Sequence, residues 1–529
     1  MAYAGFRRQP GRPNTDGFEQ HTFVAPTKGW LSAVNLAEVP PGYAYTLENW
    51  FPTATGIRLR RGCQQIATMG SNPIKSMMSY VGGGTRKLFA ASNGAVSRVD
   101  NAASPTAAPT PDITGQTADY YSHLNFATAG GNYMTIVNGA DTARVYDGTS
   151  WTASTITGVS TALLSHVWAY KNREFFVEKN SMRAWYLPIN SITGAASSIS
   201  LAGVFRRGGV LVLGASWSVN NGVTIDDKCV FISSEGEYVI YEGADPSDAS
   251  TWKIVGVYDG SPPLGSNQNG IMKAGADLLI LTQAGIIPLS AIMTKDPAAL
   301  SLSAVSRNIY TDWVAEAGNR AGLPWEIIKW PSRSLALINC PVTSASTPPI
   351  SFVVNLETGA WCKYTGWDTR SLAFHNDYLY FGNNSGQIMQ AEITGADAGA
   401  LIYHCYVGHM DHLGAIGYSK TIRQARATFR ALTTFTPQIS VTADYVVVLP
   451  SPPAAGSPGS AAIWDAGLWD TALWDSGATY QTSTTRWISI GKTGAAHAPI
   501  LQVTSGSAAA PSAELITFEM LSERGGLVV

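Results

Sequence analysis

From about residue 60 to 395 the chain repeats one local pattern: a short run alternating apolar and polar residues, a Gly- or Asn-containing turn, then another run, often closing on an aromatic. Period-two alternation predicts half-buried strands, and such turns predict hairpins between them. "IKSMMSYVGGGTRKLFAASNGAVSRVD" (74–100) reads as strand, glycine turn, strand, Asn93-Gly94 turn, strand. Asn-Gly is a strong hairpin signal because both residues tolerate positive φ. The plan returns at 124–151, with turns at Gly130-Gly131, Asn138-Gly139 and Asp147-Gly148, and at 166–194, where "KNR" and "KNS" divide aromatic-rich runs. Segments 208–243, 270–290 and 350–392 supply three more units. Uneven spacing of roughly 40 to 70 residues predicts an all-β fold built on an irregular β-propeller of about six blades.

Helical periodicity is scarce. Its best instance is "AVSRNIYTDWVAEAGNRAG" (304–322), where Ile309, Trp313 and Val314 share a face before a glycine stop, and it is expected between blades. After residue 395 the β-rich runs continue but the loops lengthen, which predicts a second, C-terminal β-domain. "SKTIRQARATFRALT" (419–433) is ambiguous: Lys420, Arg423, Arg426 and Arg430 would share a helical face, whereas its Thr and Phe also suit a strand. This candidate basic face is open to two readings, a solvated surface or a contact with nucleic acid or an acidic partner. The chain thus divides into an extended N-terminal arm (1–40), a propeller-like domain (41–395) and the C-terminal β-domain (396–529).

Within that last domain, "AAIWDAGLWDTALWDSGATY" places Trp464, Trp469 and Trp474 five residues apart, each followed by an aspartate, Asp465, Asp470 and Asp475. The Trp-Asp pair of propeller repeats recurs at about 40 residues, so this is a different device. Five steps fit neither one helical face nor one strand face, and the preceding "LPSPPAAGSPGS" disfavours both, so 461–477 reads as a compact loop. Large rings need cover. They fold onto their own domain, plug into a neighbouring subunit or partner, or stack on sugar.

Composition narrows the function. Charged residues make up 14% of the chain, against roughly 25% in an average soluble protein. Lys plus Arg number 35 against 37 for Asp plus Glu, so there is no overall basic footprint of a nucleic-acid gripper, although a local patch is compatible with that balance. Arg7, Arg8 and Arg12 stand among Pro and Gly at the start, as candidate contacts of a flexible arm, without the apolar stretch of a signal peptide. The most apolar stretch, 276–293, is interrupted by Asp277, Gln283 and Pro288, which argues against a membrane span. Cys63, Cys229, Cys340, Cys362 and Cys405 are odd in number and form no CxxC pair, which predicts reduced, mostly buried thiols and synthesis in the cytoplasm.

Signatures of catalysis are missing: the sequence holds no P-loop, HExxH, GxSxG or CxxC. "HCYVGHMDH" (404–412) gathers His404, Cys405, His409, Asp411 and His412, but without the paired spacing of a structural zinc site, and a packed or surface strand is the plainer reading. "YDGTSW" (146–151) and "SDASTWKIVG" (247–256) faintly resemble the Asp box of sialidase propellers, which is a turn element. The expectation is a non-enzymatic protein with no cofactor, no metal and no catalytic residues.

The stretch "PPGYAYTLENWFPTATGIRLRRGCQQIATM" (40–69) resembles the N-terminal signature of tail nozzle, or tail tubular protein B type, proteins of short-tailed bacteriophages, with Asn49, Trp50, Gly56, Arg58, Arg60, Arg61 and Gly62 at the signature positions. "FFVEKNSMRAWYLPINSITG", "FISSEGEYVIYEGADPSD" and "VVNLETGAWCKYTGWD" look like later blades of such proteins, and Trp-Asp triplets near the C-terminus are familiar there. The resemblance spans most of residues 30–500. It implies a virion component, a homo-oligomeric ring (a hexamer) that extends the tail tube below the portal and adaptor and retains, then guides, packaged DNA. Partners would be the adaptor ring, tail fibres or spikes, and phage DNA bound without sequence preference. The Trp-Asp loop would staple neighbouring subunits. Two other classes stay open, a receptor- or glycan-binding tail protein and a propeller glycan hydrolase.

Overall fold

The computed structural model describes residues 17–527 apart from 221–224, 265–267, 321, 343–346, 415, 433–434, 456–480 and 508. Strands dominate, and they form a ring of radially arranged antiparallel sheets. Six sheets are blades complete in themselves: five of four strands and one of three. In chain order their first strands are Ser76–Gly82, Ser122–Thr128, Leu164–Tyr170, Leu211–Asn220, Ile271–Ala274 and Thr369–His375. The first strands of the sixth, first, second, third and fourth blades stand side by side around the axis, and Glu326–Trp330 stands between those of the fifth and sixth. The sector between the fifth and sixth blades is filled by Glu326–Trp330, Leu335–Cys340, Ile350–Asn355 and Trp361–Thr365, one end of an eight-stranded sheet. The sixth blade takes its outer strand from Gly62–Thr68, so Thr68 pairs with Gln387 and the ring is closed by its own beginning.

The hairpins form where the sequence supplies residues that accept positive φ. Asn93 (φ 52°) and Gly94 (φ 75°) turn the chain between Ser92 and its partner Ala95, and Lys171-Asn172 and Asn376-Asp377 do the same elsewhere. Two-residue turns of this hand match strand twist. The predicted helix is Tyr310–Asn319, between the fifth blade and the shared sheet; Trp313 is buried, whereas Val314 is exposed.

Three expectations need correction. The 350–392 unit is two objects, because Ile350–Asn355 and Trp361–Thr365 belong to the shared sheet and only the rest to the sixth blade. Residues 17–40 are not a free arm: Phe18–Val24 pairs along its whole length with Ala513–Leu527. The boundary at 395 is also not a boundary in space, since Ala44–Glu48, Trp50–Pro52 and Ile57–Leu59 join the C-terminal sheets. Ala44–Glu48 stands between Trp361–Thr365 and Ile402–Gly408, so one sheet runs from the propeller ring into the terminal domain. A single apolar core follows this sheet, with Trp50, Trp313, Trp325, Trp330 and Trp361 all fully buried. Separating the two parts would uncover Trp50, whose ring lies against His404, at a cost on the order of 2–3 kcal/mol.

Candidate functional site

The signature residues of 49–62 converge on the joint between propeller and terminal domain. Arg60, 1% exposed, donates from both terminal nitrogens to Asp397, at 2.9 and 2.7 Å. Its Nε donates to Asn49 Oδ1 (2.9 Å) and its remaining N–H groups to the Thr365 and Arg61 carbonyls. The guanidinium lies 4.7 Å from the Trp367 ring centre, and Trp367 Nε1 donates to the same carboxylate. Burial alone would lower the Arg60 pKa, but Asp397 outweighs it and holds the charge. A planar fork satisfied on every side is what only Arg supplies. Asn49, in the left-handed conformation (φ 59°), gives both amide hydrogens to Thr365 and the Tyr403 carbonyl, so the pin reaches the first C-terminal strand.

The glycines of the signature are packing requirements. A Cβ on Gly62 would stand 2.1 Å from the Ala396 carbonyl oxygen, and one on Gly56 would stand 2.3 Å from that of Leu515. Trp50 is wholly buried with its ring 6.0 Å from His404, and Arg58 lies over Phe51. The Arg61 backbone N–H donates to the Glu392 carboxylate.

The candidate basic face is a strand, Tyr418–Ala431, not a helix. A bulge between Ile422 and Gln424 shifts the alternation, which brings Arg423, Arg426 and Arg430 to one side. Lys420 is left on the other side, 2% exposed, donating to the Tyr418 and Ala495 carbonyls. The partner strand Ala513–Leu527 answers the arginines: Arg426 pairs with Glu519, Arg423 reaches Glu523 at 2.5 Å, and Arg430 stands opposite Glu514 in the ladder. The face is therefore a charge-balanced ladder rather than an open basic patch. Nothing in the local sequence signals this, because the glutamates come about ninety residues later.

The propeller axis holds two adjoining cavities of about 300 and 410 Å³ that share His123 and Asn269. Its polar side chains link one blade to the next. Asn125 donates to the Ser79 carbonyl, and Ser79 Oγ meets His375 Nδ1 at 3.1 Å. His166 joins three blades, with Ser122 Oγ 3.0 Å from Nδ1 and the Gly214 carbonyl 2.8 Å from Nε2. A carbonyl only accepts, so Nε2 carries the proton, and burial holds the imidazole down at about 4. Trp217 Nε1 donates to the Ala276 carbonyl, Asn269 to Glu326, and the Leu372 N–H to the other Glu326 oxygen, which completes the circle. Burial pushes Glu326 up to about 7 against those two bonds. These axial groups, which resemble acid–base machinery in type, are occupied in holding the ring together. Their residue types were visible in the sequence; their partners, one blade away, were not.

Other candidates fall apart or fall outside. His404 and Cys405 are successive on one strand and so face opposite ways, His404 toward the Arg60 and Val503 carbonyls. His409 packs on Phe23, and His412 meets Tyr445. Among the described residues no three His, Cys, Asp or Glu side chains gather as metal ligands. All five cysteines are buried and unpaired. Asp147 and Asp248 accept backbone N–H groups two residues on, which makes both Asp-box-like segments turns, with Trp151 and Trp252 packed on Tyr146 and Tyr241. Arg7, Arg8, Arg12 and the Trp464, Trp469, Trp474, Asp465, Asp470 and Asp475 loop lie outside the described residues. No described helix is long and apolar enough to cross a membrane.

No family model matches the sequence, and no curated protein matches it. Solved structures of similar shape include BBS1N in complex with ARL6DN (9% identity, TM-score 0.36, 64% of this chain and 98% of that one). YCF48 from Cyanidioschyzon merolae is similar at 9% identity and TM-score 0.37, over 63% and 98% of the two chains. The computationally designed Ika8 protein is similar at 10% identity and TM-score 0.35, over 62% and 100%. The propeller is read from this chain's own strand order, and these distant likenesses add nothing about function.

Proposed function

We propose that the protein is a structural subunit of a bacteriophage virion, a ring-forming component of the distal tail tube that retains packaged DNA and guides its ejection. The observation that carries the reading is the place of the signature residues: Asn49, Gly56, Arg60 and Gly62 build the joint that makes propeller and terminal sheets one body. Residues occupied with joining two parts of the chain suit a part that bears load and guides, rather than one that turns over a substrate. Charge supports it too. DNA presents one phosphate charge per about 1.7 Å, so a strongly basic conduit would hold it through many contacts. Here two arginines of the densest basic strand are paired with glutamates of the strand beside it.

The test is the mass and shape of the purified protein by light scattering and electron microscopy, alone and mixed with the adaptor ring of the same phage. Rings, formed alone or on the adaptor, are expected. A monomer that ignores the adaptor and binds host cells or polysaccharide would overturn the reading in favour of a receptor-binding tail protein.

A further inference from the structure

Away from the axis, a cleft of about 570 Å³ opens where residues 30–38 and the Ala44–Glu48 strand meet the start of the Tyr310–Asn319 helix. Trp30 is on its wall, fixed by its Nε1 donating to the Tyr45 carbonyl, with Lys363 Nζ 5.5 Å from the ring centre. Glu48 neutralises that lysine at 2.6 Å. The other charged residues of the lining, Glu38 and Asp312, are both acidic, and among the described residues neither has an ion-pair partner. The Ser32 hydroxyl, also from the lining, is buried without a hydrogen-bond partner. Aromatic surface, an orphaned hydroxyl and two uncompensated carboxylates together match an extended peptide that carries proline and arginine. The chain contains such a peptide. Residues 7–13 read RRQPGRP, in which Arg7, Pro10 and Pro13 recur at every third position. That is the repeat of a polyproline II helix, whose one edge would carry all three about 9 Å apart. The first acid after these arginines is Asp16.

We infer that the N-terminal arm docks in this cleft, Pro10 and Pro13 against the side of Trp30 and Tyr45 and the arginines on Glu38 and Asp312. Length permits the contact. Arg7 stands ten residues before Gly17, where the described residues begin, which gives a reach of up to about 35 Å. The Phe18–Val24 strand that separates Gly17 from the approach to Trp30 has seven residues and is about 23 Å long. The arm can therefore double back over that distance. A proline-rich segment has little conformational freedom to lose on docking, so a modest aromatic surface holds it. Each planar guanidinium can give a carboxylate two bonds, and a carbonyl of the arm gives the Ser32 hydroxyl its missing acceptor. The arm is held in this way whether or not the copies assemble into rings.

The experiment measures trypsin cleavage after Arg8 in the full-length chain, each rate divided by that of a free peptide with the same residues 1–16. The wild type should be cut at least about tenfold more slowly than its peptide. Glu38→Lys with Asp312→Asn, at an exposed and a half-buried position, should remove that protection, and so should Pro10→Ala with Pro13→Ala. A second measurement keeps the result independent of any loss of folding in these variants. Gln9→Cys with Thr311→Cys, on the exposed rim of the cleft, should form a disulfide on oxidation, against a low background because every native thiol is buried. Gln9→Cys with Lys253→Cys, exposed on the outer strand of the fourth blade, should not. A link within one chain and a link between two chains both place the arm in the cleft, and gel mobility tells them apart. An arm cut as fast as the free peptide overturns the docking, as does protection that the Glu38 and Asp312 changes leave intact. Either result leaves the ring reading standing.

Discussion

Arg60 and Asp397 meet through two bonds of 2.9 and 2.7 Å, with Arg60 buried and the Asp397 side chain only 10% exposed, one residue from the start of the propeller and the other just past its end. The pair closes the ring chemically at the place where the Gly62–Thr68 strand closes it by pairing. Removing one member strands the other charge. Asp397→Ala is expected to destabilise by about 3–5 kcal/mol, and the Arg60→Met, Asp397→Leu double by less than that single, because an apolar pair needs no compensation. Urea unfolding of the three proteins checks it; a double worse than the Asp397→Ala single would argue that the Arg60 bonds to carbonyls, not the ion pair, hold the joint.

Gly62→Ala drives a methyl into the Ala396 carbonyl and is expected to cost about 1–3 kcal/mol. Gly318→Ala, in the Tyr310–Asn319 helix with open space around it, is expected to stabilise by about 0.5–1 kcal/mol. Melting curves of the two variants should move in opposite directions.

Glu174 should subtract stability as pH rises from about 4.5 to 8, against buried histidines such as His166 whose lowered pKa adds stability up to about 6.5. Glu174 is buried with only Thr135 donating to it, and burial pushes its pKa up to about 8 from the 4.5 of an unfolded chain. Below that window both states hold the proton; within it the folded state holds more protons than the unfolded, so each rise in pH favours unfolding. Glu326, raised to about 7, adds to the same slope. Relative to the wild type, Glu174→Gln should gain on the order of 2–4 kcal/mol of stability as pH rises across the window. Denaturant midpoints measured from pH 5 to 8.5 decide it, and a parallel pair of curves would mean Glu174 is solvated.

The charge ladder makes a prediction about DNA. Glu519→Gln with Glu523→Gln frees Arg426 and Arg423 from their partners. Duplex DNA should then bind more tightly, with a log–log salt slope steeper by up to about 1.8, two phosphate contacts' worth. Fluorescence anisotropy at several salt concentrations reads this; an unchanged slope would place the ladder away from any DNA path.

Alternation and turn chemistry are local, and both were legible in the chain. The hairpin at Asn93-Gly94, the strands of the blades and the helix around Trp313 follow from which residues tolerate a given φ and which face must be dry. So does the burial of the cysteines. Long-range pairing is not local. That Phe18–Val24 lies on Ala513–Leu527, that Ala44–Glu48 fuses two parts of the chain, and that the 350–392 segment splits between two sheets are decided by which edges meet in space. The signature around Arg60 could be quoted from the sequence, but its purpose waits on Asp397, 337 positions away. The arginines of Tyr418–Ala431 likewise read as a basic face until a bulge and three distant glutamates turn them into half of a ladder. A side chain's type is written in the sequence; its charge state and its role are set by the groups that folding places against it, because burial and Coulomb interaction depend on distance in space and not along the chain.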